Sequence, residues 1–229
     1  MRIAIVMTAY NREALLQKTL ESFRQYDPYE FVVVTDKDED HLEKTWVNSA
    51  IAFNRAFYEA LHSHMFEVDA IIFQNAECYH AGDILSYVRK NLTSKNYISF
   101  PCYSLGKDDS LPPIEMHDRC ATHDGDSAWY NHPKYRPVGY HFCAAITAEN
   151  LRKINGFDER FKDGKDYEDN FLLYQIRQLG LRIEIPVEPY VFHQWHYSSP
   201  RKGGTNEALY KNLIQTEGYR AVHLITPDL

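Results

Sequence analysis

An apolar segment near residue 75 ends in side chains that could hold a cation. The sequence IIFQNAECYH at 71–80 begins like a buried strand, and two poor strand formers, Asn75 and Glu77, follow its apolar residues. An amide carbonyl and a carboxylate are oxygen ligands of the kind that hard divalent cations prefer. Ligands of open α/β folds also bind at the carboxyl ends of strands. The segment therefore predicts a cation site at Asn75 and Glu77.

Two histidines late in the chain offer a second kind of metal ligand. His193 and His196 lie in PYVFHQWHY at 189–197, after an apolar run. Imidazole combined with carboxylate favours manganese or a similar ion over calcium. Residues three apart on an extended chain face opposite sides, so we expect one histidine to point toward the site, and His193 is favoured because it directly follows the apolar run. The alternative is that both are ordinary packed or surface histidines.

Two adjacent acids form a second possible centre of chemistry. Glu168 and Asp169 lie in DYEDNF, at the start of a predicted helix. The positive end of a helix dipole stabilises carboxylates, so capping explains one of these acids without any catalysis. Two acids in succession are less easily explained by capping alone. The pair is therefore a candidate for acid–base chemistry.

Polar residues also follow the first two predicted strands. The strand RIAIVMT ends at Thr8 and is followed by Tyr10 and Arg12, and the strand FVVVTD ends at Asp36. In a doubly wound sheet these strand ends converge on one crevice. A carboxylate for hydroxyls or a base edge, and an aromatic ring for stacking, suit a nucleotide there. Asp and Asn after strands are also ordinary turn and capping residues, which is the favoured interpretation of the acids at 38–40.

A long irregular stretch at 101–137 carries several aromatic residues. Trp129 and Tyr130 lie within its segment SAWYNHPKY. Long loops in compact domains are usually functional or disordered. Flat aromatic faces with polar edges suit a sugar, so the two residues are candidates for contact with an acceptor. Anchoring of the loop to the core is an equal alternative.

The elements that must position these residues alternate along the chain. Strand and helix patterns follow one another through the first 100 residues, with NYISFPCYS as the fourth strand. After the irregular stretch, the strand FCAAIT, the helix EDNFLLYQIRQLG and the strand RIEIPV follow, and then the helical segment NEALYKNLIQTEGY. Interleaved strands and helices predict an α/β fold whose central sheet is covered by helices on both faces.

Length and composition limit the class of protein. The 229 residues suit one domain, and 44% hydrophobic with 25% charged residues is typical of a globular chain. No apolar run has the roughly 18 residues of a membrane helix, and the start of the chain resembles a strand rather than a signal peptide, so we expect a cytoplasmic protein. A net charge of -7 gives no indication of nucleic-acid binding. The four cysteines match no zinc spacing and are expected to be reduced thiols.

Several of these segments together resemble the family-2 glycosyltransferases of the GT-A fold. The segments are TAYNREALLQKTLESF, VVVTD, AFNRAF with Asn54, IIFQNAECYH and GFDERFKDGKDYEDNFLLYQIRQLGL. The resemblance covers roughly residues 1–100 and 138–196. It implies a GT-A, Rossmann-like fold with a mixed, mainly parallel central sheet. It further implies one domain with a nucleotide-sugar-binding half at 1–100, an acceptor-binding and catalytic half at 101–200, and a helical tail at 201–229.

The resemblance also implies roles for particular residues. It places the nucleotide at Thr8, Tyr10, Arg12, Asp36 and Asn54, and it makes Asp169 the general base that deprotonates the acceptor, with Glu168 positioning the loop or the acceptor. Related enzymes also use a histidine near the place of His193 as a metal ligand. The metal-binding Asp-x-Asp of the family aligns with Asn75-Ala76-Glu77, so this sequence departs from the pattern there.

The function implied by the resemblance is metal-dependent transfer of a sugar. The donor would be a nucleotide diphosphate sugar, with a UDP-sugar favoured on family grounds, and the acceptor a saccharide or another hydroxyl compound. The cofactor would be Mn²⁺ or Mg²⁺, and attack from the face opposite the leaving group would invert the anomeric centre. Two alternatives stay open: a nucleotidyltransferase that makes sugar nucleotides, and a glycan-binding module derived from an inactive transferase.

Overall fold

The chain forms ten strands and six α-helices in the part that the structure describes. The computed structural model describes residues 1–26, 31–35, 47–63, 67–197, 204–216 and 218–229. The strands are β1 Ile3–Thr8, β2 Phe31–Thr35, β3 Ala70–Asn75, β4 Cys78–Ala81, β5 Asn96–Ser99, β6 Cys102–Ser104, β7 Ala128–Asn131, β8 Cys143–Thr147, β9 Arg182–Glu184 and β10 Tyr190–His193. The helices are α1 Glu13–Arg24, α2 Ala50–Leu61, α3 Ile84–Asn91, α4 Ala148–Ile154, α5 Glu168–Gln178 and α6 Glu207–Thr216.

Six strands form the central sheet, in the order β2-β1-β3-β8-β5-β9. The pairs β1–β2, β1–β3 and β5–β9 are parallel, whereas β8 runs antiparallel to both of its neighbours. The sheet is therefore mixed. The predicted α/β fold with a mixed, mainly parallel sheet is confirmed.

Helices cover both faces of this sheet because successive side chains of a strand point to opposite sides. Ile3, Ile5 and Met7 of β1 face a core that α1 and α3 complete. Ala4 and Val6 face the other core, which contains residues of α2, α4 and α5. A strand buried on both sides needs apolar residues at every position, which explains the unbroken apolar run of β1.

A smaller sheet lies beside the first, with the strand order β4-β10-β6-β7. The sequence NYISFPCYS, predicted as one strand, is divided between the two sheets: β5 belongs to the central one and β6 to the smaller one. Pro101 lies between them and has no amide hydrogen for a sheet ladder, so the strand breaks there. The prediction of a single strand is therefore wrong. Strand β7 lies in the stretch that was predicted to be irregular.

The C-terminal part packs against the second half of the chain. Leu213 of α6 is buried against Phe161 and Phe171. The predicted helix in NEALYKNLIQTEGY is confirmed over the range of α6. Among the helices of the described residues, none combines the length and the apolar character needed to cross a bilayer. The proposed division of the domain into functional halves remains a prediction.

Candidate functional site

Three parallel strands end in one row at the edge of the central sheet. Thr8 pairs with the last residue of β2 on one side and with Asn75 on the other. Tyr10, which is 45% exposed, and Arg12 follow directly in the chain. The predicted nucleotide-binding residues of the first strand end therefore share this edge, and their contact with a nucleotide remains a prediction. Asp36 lies outside the described residues.

A buried carboxylate and two histidines meet beside this edge. Glu77 lies in the tight turn between β3 and β4, and the antiparallel pairing of β4 with β10 places His193 opposite Cys78. The backbone amide and the side-chain amide of Gln194 donate to the carbonyl oxygen of Glu77, at 3.0 and 3.2 Å. These bonds hold the end of β10 against the turn, and both His193 and His196 reach the carboxylate.

The three side chains have the composition and spacing of a metal site. The Nε2 atoms of His193 and His196 each lie 3.3 Å from Oε1 of Glu77. One ligand atom from each residue lies within 4.8 Å of the other two. Burial of Glu77 opposes its ionisation, but hydrogen bonds from the two imidazoles outweigh burial and hold the pKa of this carboxyl well below its ordinary value. A charged carboxylate and two imidazoles are a donor set that fits Mn²⁺.

Arg12 contacts this cluster from the start of α1. Its Nη2 donates to Nδ1 of His196 at 2.9 Å, and its Nε lies 3.8 Å from Oε2 of Glu77. Because guanidinium only donates, Nδ1 of His196 is the accepting nitrogen, and Nε2 of the neutral ring carries the proton. Binding of a cation through Nε2 requires that proton to leave or to move to Nδ1. Arg12 therefore competes with a cation for His196.

The expectation that only one histidine points inward is wrong. It assumed an extended chain from His193 to His196, but β10 ends at His193 and the chain bends after it. Both imidazoles consequently face the same carboxylate. Asn75 lies two residues before Glu77 at the end of β3, and its backbone amide donates to the Phe142 carbonyl at 3.2 Å. A ligand role for Asn75 remains a prediction.

The acid predicted to act as a base is bonded to a histidine that the sequence did not suggest. Nδ1 of His141 forms a short hydrogen bond with Oδ1 of Asp169, and the backbone amide of His141 donates to the same oxygen at 3.4 Å. His141 is 6% exposed, whereas the Asp169 side chain is 26% exposed. A lone histidine before an apolar strand carries no sequence signal. The pairing exists only because β8 and α5 meet here.

Helix α5 presents these acids from a strained turn. Asp166 and Tyr167 precede Glu168 with φ of 59° and 70°, in the left-handed region that non-glycine residues rarely adopt. Contacts with α6 and the residue before it support the turn. The amide of Asn206 donates to the Asp166 carbonyl at 3.1 Å, and the rings of Tyr167 and Tyr210 lie 5.6 Å apart.

Residues 141 and 142 connect the two centres. The Phe142 carbonyl accepts the hydrogen bond from the end of β3, and the Phe142 ring lies 6.2 Å from the ring of His193. The preceding residue, His141, bonds Asp169. The histidine–carboxylate cluster and the acid at the start of α5 therefore both adjoin one short segment next to the strand ends of the sheet.

The two aromatic residues predicted to contact an acceptor have different positions. Trp129 is 5% exposed, and its ring lies 5.1 Å from Tyr103 and 5.7 Å from Tyr190. It belongs to the core of the small sheet, so the predicted acceptor contact is wrong for Trp129. Tyr130 stacks on Phe142 at 5.3 Å, at the margin of the site, and its contact with an acceptor remains a prediction.

An exposed aromatic residue that the prediction missed lies between the two histidines of the cluster. Trp195 is 38% exposed, and Nζ of Lys107 lies 5.8 Å from its ring centroid. A Cβ built on Gly125 would lie 3.2 Å from the same ring, so the loop packs closely there. The sequence could have indicated Trp195, because it lies between the two candidate ligands His193 and His196 and must therefore be close to the candidate site.

Asn54 is a structural residue rather than a nucleotide ligand. It is fully buried, donates to the Phe157 carbonyl at 2.8 Å and to Glu159 at 3.2 Å, and accepts from the Phe157 amide at 2.9 Å. Gly156 has a φ of 69°, and a Cβ there would lie 2.5 Å from Oδ1 of Asn54. Asn54 therefore fixes the turn after α4, which corrects the prediction.

The chain is similar to known proteins in its fold rather than in its sequence. The sequence matches no protein-family model, and no curated protein matches it. The structure is similar to the catalytic domain of Drosophila beta1,4-galactosyltransferase 7, crystallised with xylobiose, with a TM-score of 0.59 and 17% identity over 95% of this chain and 80% of that one. Another structure of the galactosyltransferase, a mutant, holds manganese, UDP-Gal and xylobiose (TM-score 0.51, 15% identity, 82% of this chain and 66% of that one).

Two further enzymes share the architecture. S. aureus TarS 1-349 with UDP-GlcNAc gives a TM-score of 0.55 at 12% identity, over 87% of this chain and 60% of that one. The mannosyltransferase PcManGT from Pyrobaculum calidifontis with GDP-Man and Mn²⁺ gives 0.50 at 13% identity, over 83% and 56%. The chain thus spans less than two thirds of either enzyme. The fold is that of the GT-A glycosyltransferases, and the resemblance inferred from sequence is confirmed at the level of fold.

Proposed function

We propose that the protein is a metal-dependent glycosyltransferase that moves a sugar from a nucleotide diphosphate donor to a hydroxyl acceptor. One observation carries the proposal: Glu77, His193 and His196 bring a carboxylate and two imidazoles together, a donor set that fits a cation, at the strand ends of a GT-A fold and on the edge that also bears Asp169. The similar structures support it, because two of them hold manganese together with a nucleotide sugar.

Different residues of the chain would have different roles in such a reaction. Glu77, His193 and His196 would hold Mn²⁺ or Mg²⁺, and the bound cation supplies positive charge that stabilises the leaving diphosphate. Arg12 has a guanidinium at the same edge and would donate to the phosphates. The exposed ring of Tyr10 would stack on the base.

Asp169 would act as the base toward the acceptor. Its half-buried carboxylate removes the hydroxyl proton as the acceptor oxygen attacks the anomeric carbon. The bond from that carbon to the diphosphate breaks, and the electron pair leaves with the phosphate oxygen. Attack from the side opposite the diphosphate inverts the anomeric centre. A UDP-sugar is the donor we favour, since the structures of two of the similar enzymes hold UDP-Gal and UDP-GlcNAc.

Calorimetry with UDP, with and without Mn²⁺, tests the proposal. We expect Mn²⁺ to tighten UDP binding, GDP to bind more weakly, and Glu77→Ala to abolish the metal effect. The control variant is Glu149→Ala, which removes an exposed acid paired with Lys153. Glu149 follows the end of β8 that pairs with Ala70, at the opposite end of β3 from the candidate site. Saccharide binding that is indifferent to nucleotide and metal would instead indicate a glycan-binding module. Release of diphosphate from a nucleoside triphosphate and a sugar phosphate would indicate a nucleotidyltransferase.

A panel of donors then identifies the sugar. Hydrolysis of UDP-galactose, UDP-N-acetylglucosamine, UDP-glucose and GDP-mannose can be followed without an acceptor, because water takes its place. We expect one UDP-sugar to be hydrolysed fastest and Asp169→Asn to slow that hydrolysis by about 10²-fold, the lower part of the range for a general base. Equal hydrolysis in Asp169→Asn would remove Asp169 from the role of base.

A further inference from the structure

One buried imidazole stands behind the acid that the proposed function makes the base. His141 precedes β8 and lies 6% exposed among three phenyl rings, with centroid distances of 5.1 Å to Phe53, 5.8 Å to Phe73 and 4.8 Å to Phe157. Burying a polar ring in an apolar cage is unfavourable unless the ring is hydrogen-bonded. Its Nδ1 meets that condition by bonding Asp169. A residue kept only for packing would be apolar here.

The two oxygens of Asp169 have different surroundings. Oδ1 is engaged by Nδ1 and by the backbone amide of His141. Among the residues that the structure describes, no hydrogen bond reaches Oδ2. Since the side chain is 26% exposed, the carboxylate turns one oxygen inward to a fixed partner and leaves the other for a molecule at the edge of the sheet.

We propose that His141 is a positioning residue for Asp169: its Nδ1–H fixes Oδ1, so that Oδ2 is the oxygen that receives the acceptor proton. This inference rests on the proposed function. In the step itself, the acceptor O–H bond breaks as the new bond to the anomeric carbon forms, and the proton moves to Oδ2. The Nδ1–H proton stays on His141, and its hydrogen bond stabilises the carboxylate in one orientation before the reaction. Orientation of this kind removes rotational freedom that the transition state would otherwise lose.

The charges around the pair determine how it titrates. Burial lowers the pKa of His141, but the charge and hydrogen bond of Asp169 and the charge of Glu168 outweigh burial and raise it above 6.5. Two further titratable groups feel the charge of Asp169, the phenols of Tyr97 on β5 and Tyr140, and both have raised pKa values because of burial first and that charge second. They stay neutral near pH 7. The other elements of the cage present phenyl rings.

This arrangement predicts a pH dependence. Below its raised pKa, His141 is an imidazolium whose charge makes Asp169 a weaker base; above it, the neutral ring still donates through Nδ1. Transfer should therefore rise as pH passes upward through the pKa of His141. Neither protonation state breaks the positioning bond, so the dependence reports basicity rather than loss of structure.

Two substitutions separate positioning from packing. His141→Asn places an amide donor near the position of Nδ1 but does not titrate, whereas His141→Leu fills the cage and has no donor. Using hydrolysis of UDP-galactose with Mn²⁺, we expect His141→Leu to lower kcat by about 10²-fold with little change in KM. We expect His141→Asn to recover at least tenfold of that loss and to lack the rise of rate above pH 6.5. His62→Asn, at an exposed histidine after α2, is the control.

A measurement on the unliganded protein tests the pairing without any activity. In ¹⁵N-histidine-labelled protein, long-range ¹H–¹⁵N correlation spectra should show His141 protonated at Nδ1 with a pKa above 6.5. In Asp169→Asn the pKa should lie below 6.5, because only the charge of Glu168 then opposes burial. The same titration in both proteins, or equal pH–rate profiles in wild type and His141→Leu, would overturn the inference. If UDP binding ignores Mn²⁺ while the NMR result holds, the proposed function fails and the pairing stands.

Discussion

Two buried carboxylates, Glu77 and Glu159, differ in the donors that surround them. Glu159 is fully buried and accepts from the backbone amides of Leu224 and Ile225 at 2.7 and 2.6 Å, and from Thr226. Glu77 faces two imidazoles and a guanidinium. Both have lowered pKa values despite burial, which acts in the opposite direction. A low pKa therefore does not distinguish a functional acid from a structural one.

The two carboxylates differ in whether their hydrogen-bond donors can leave without unfolding of the chain. Backbone amides cannot leave Glu159 without unfolding of the C-terminal segment, so this carboxylate stabilises the fold. The partners of Glu77 are side chains, two imidazoles and a guanidinium, whose chemistry suits a cation and a phosphate, and side chains can turn to a ligand without unfolding of the backbone. Substitutions at the two positions should consequently affect different properties: catalysis at Glu77 and stability at Glu159.

The largest effect is expected at Glu77. Glu77→Gln keeps the shape of the side chain but removes its charge, so the cation loses its only charged ligand in the cluster. We expect Mn²⁺-dependent hydrolysis of UDP-galactose to fall on the order of 10²–10³-fold, since metal catalysis supplies several kcal/mol. Urea denaturation of the variant should show a smaller change in unfolding free energy than that of Glu159→Gln. Full activity in Glu77→Gln would contradict a catalytic role for Glu77 and the proposed difference between Glu77 and Glu159.

Glu159→Gln should produce the reverse result. Loss of charge from a carboxylate that accepts several buried hydrogen bonds should lower the unfolding free energy by about 2–3 kcal/mol, as measured by urea denaturation. The pKa of Glu159 is lowered in the folded state, so its contribution is fully present above the ordinary value of 4.5 and is lost as pH falls below it. The difference between wild type and variant should therefore shrink below pH 4.5. Binding of UDP with Mn²⁺ should change less than twofold at 25 °C.

Asn54→Ala tests the structural role at a neutral side chain that contacts Glu159. Asn54 donates to Glu159 and to the Phe157 carbonyl, so the variant leaves buried groups unpaired and should cost about 1–3 kcal/mol of unfolding free energy. Its affinity for UDP, measured by calorimetry, should match that of wild type within twofold. Tyr10→Ala is the opposite control, with unchanged stability and UDP binding weakened about tenfold by loss of a stacking ring. Weak UDP binding in Asn54→Ala would restore the nucleotide role.

The smallest effect is expected at Arg12. Because Arg12 donates to Nδ1 of His196 and places a positive charge beside Glu77, it opposes a cation in the absence of nucleotide. We expect Arg12→Ala to bind Mn²⁺ alone about 3- to 10-fold more tightly, and to bind UDP less tightly when Mn²⁺ is saturating. Competition with a metal-sensitive dye measures the first quantity and calorimetry the second. Weaker binding of Mn²⁺ alone would show that Arg12 supports the cation site instead.

The sequence predicted most of the fold because burial leaves a local pattern. A strand covered on both faces carries a continuous apolar run, as β1 does through Met7 and β3 does through Phe73, and an amphipathic helix repeats its apolar residues, as α1 does. Strand β4 was not predicted, because it directly follows Glu77 and has a histidine among its four residues. The division between β5 and β6 also escaped notice, since one apolar run serves two sheets.

The candidate site was predictable only in part. Glu77 and His193 were candidates because each follows an apolar run that predicts a strand, and Asp169 was a candidate because it lies at the start of a predicted helix. Their roles remain predictions. Trp129 was predicted to contact an acceptor because the local sequence does not show whether an aromatic side chain of this segment points into the core or toward solvent. Asn54 was misplaced because an amide that fixes a turn and an amide that binds a ligand look identical in sequence.

Local sequence patterns predict the elements, their order and the types of side chain at their ends. Which of those groups meet depends on the folded chain: Glu77 meets two histidines more than one hundred residues away, and Asp169 meets His141. Strand order and the bend after β10 bring these groups together. Such contacts depend on packing between distant segments, and no local pattern of residues encodes them.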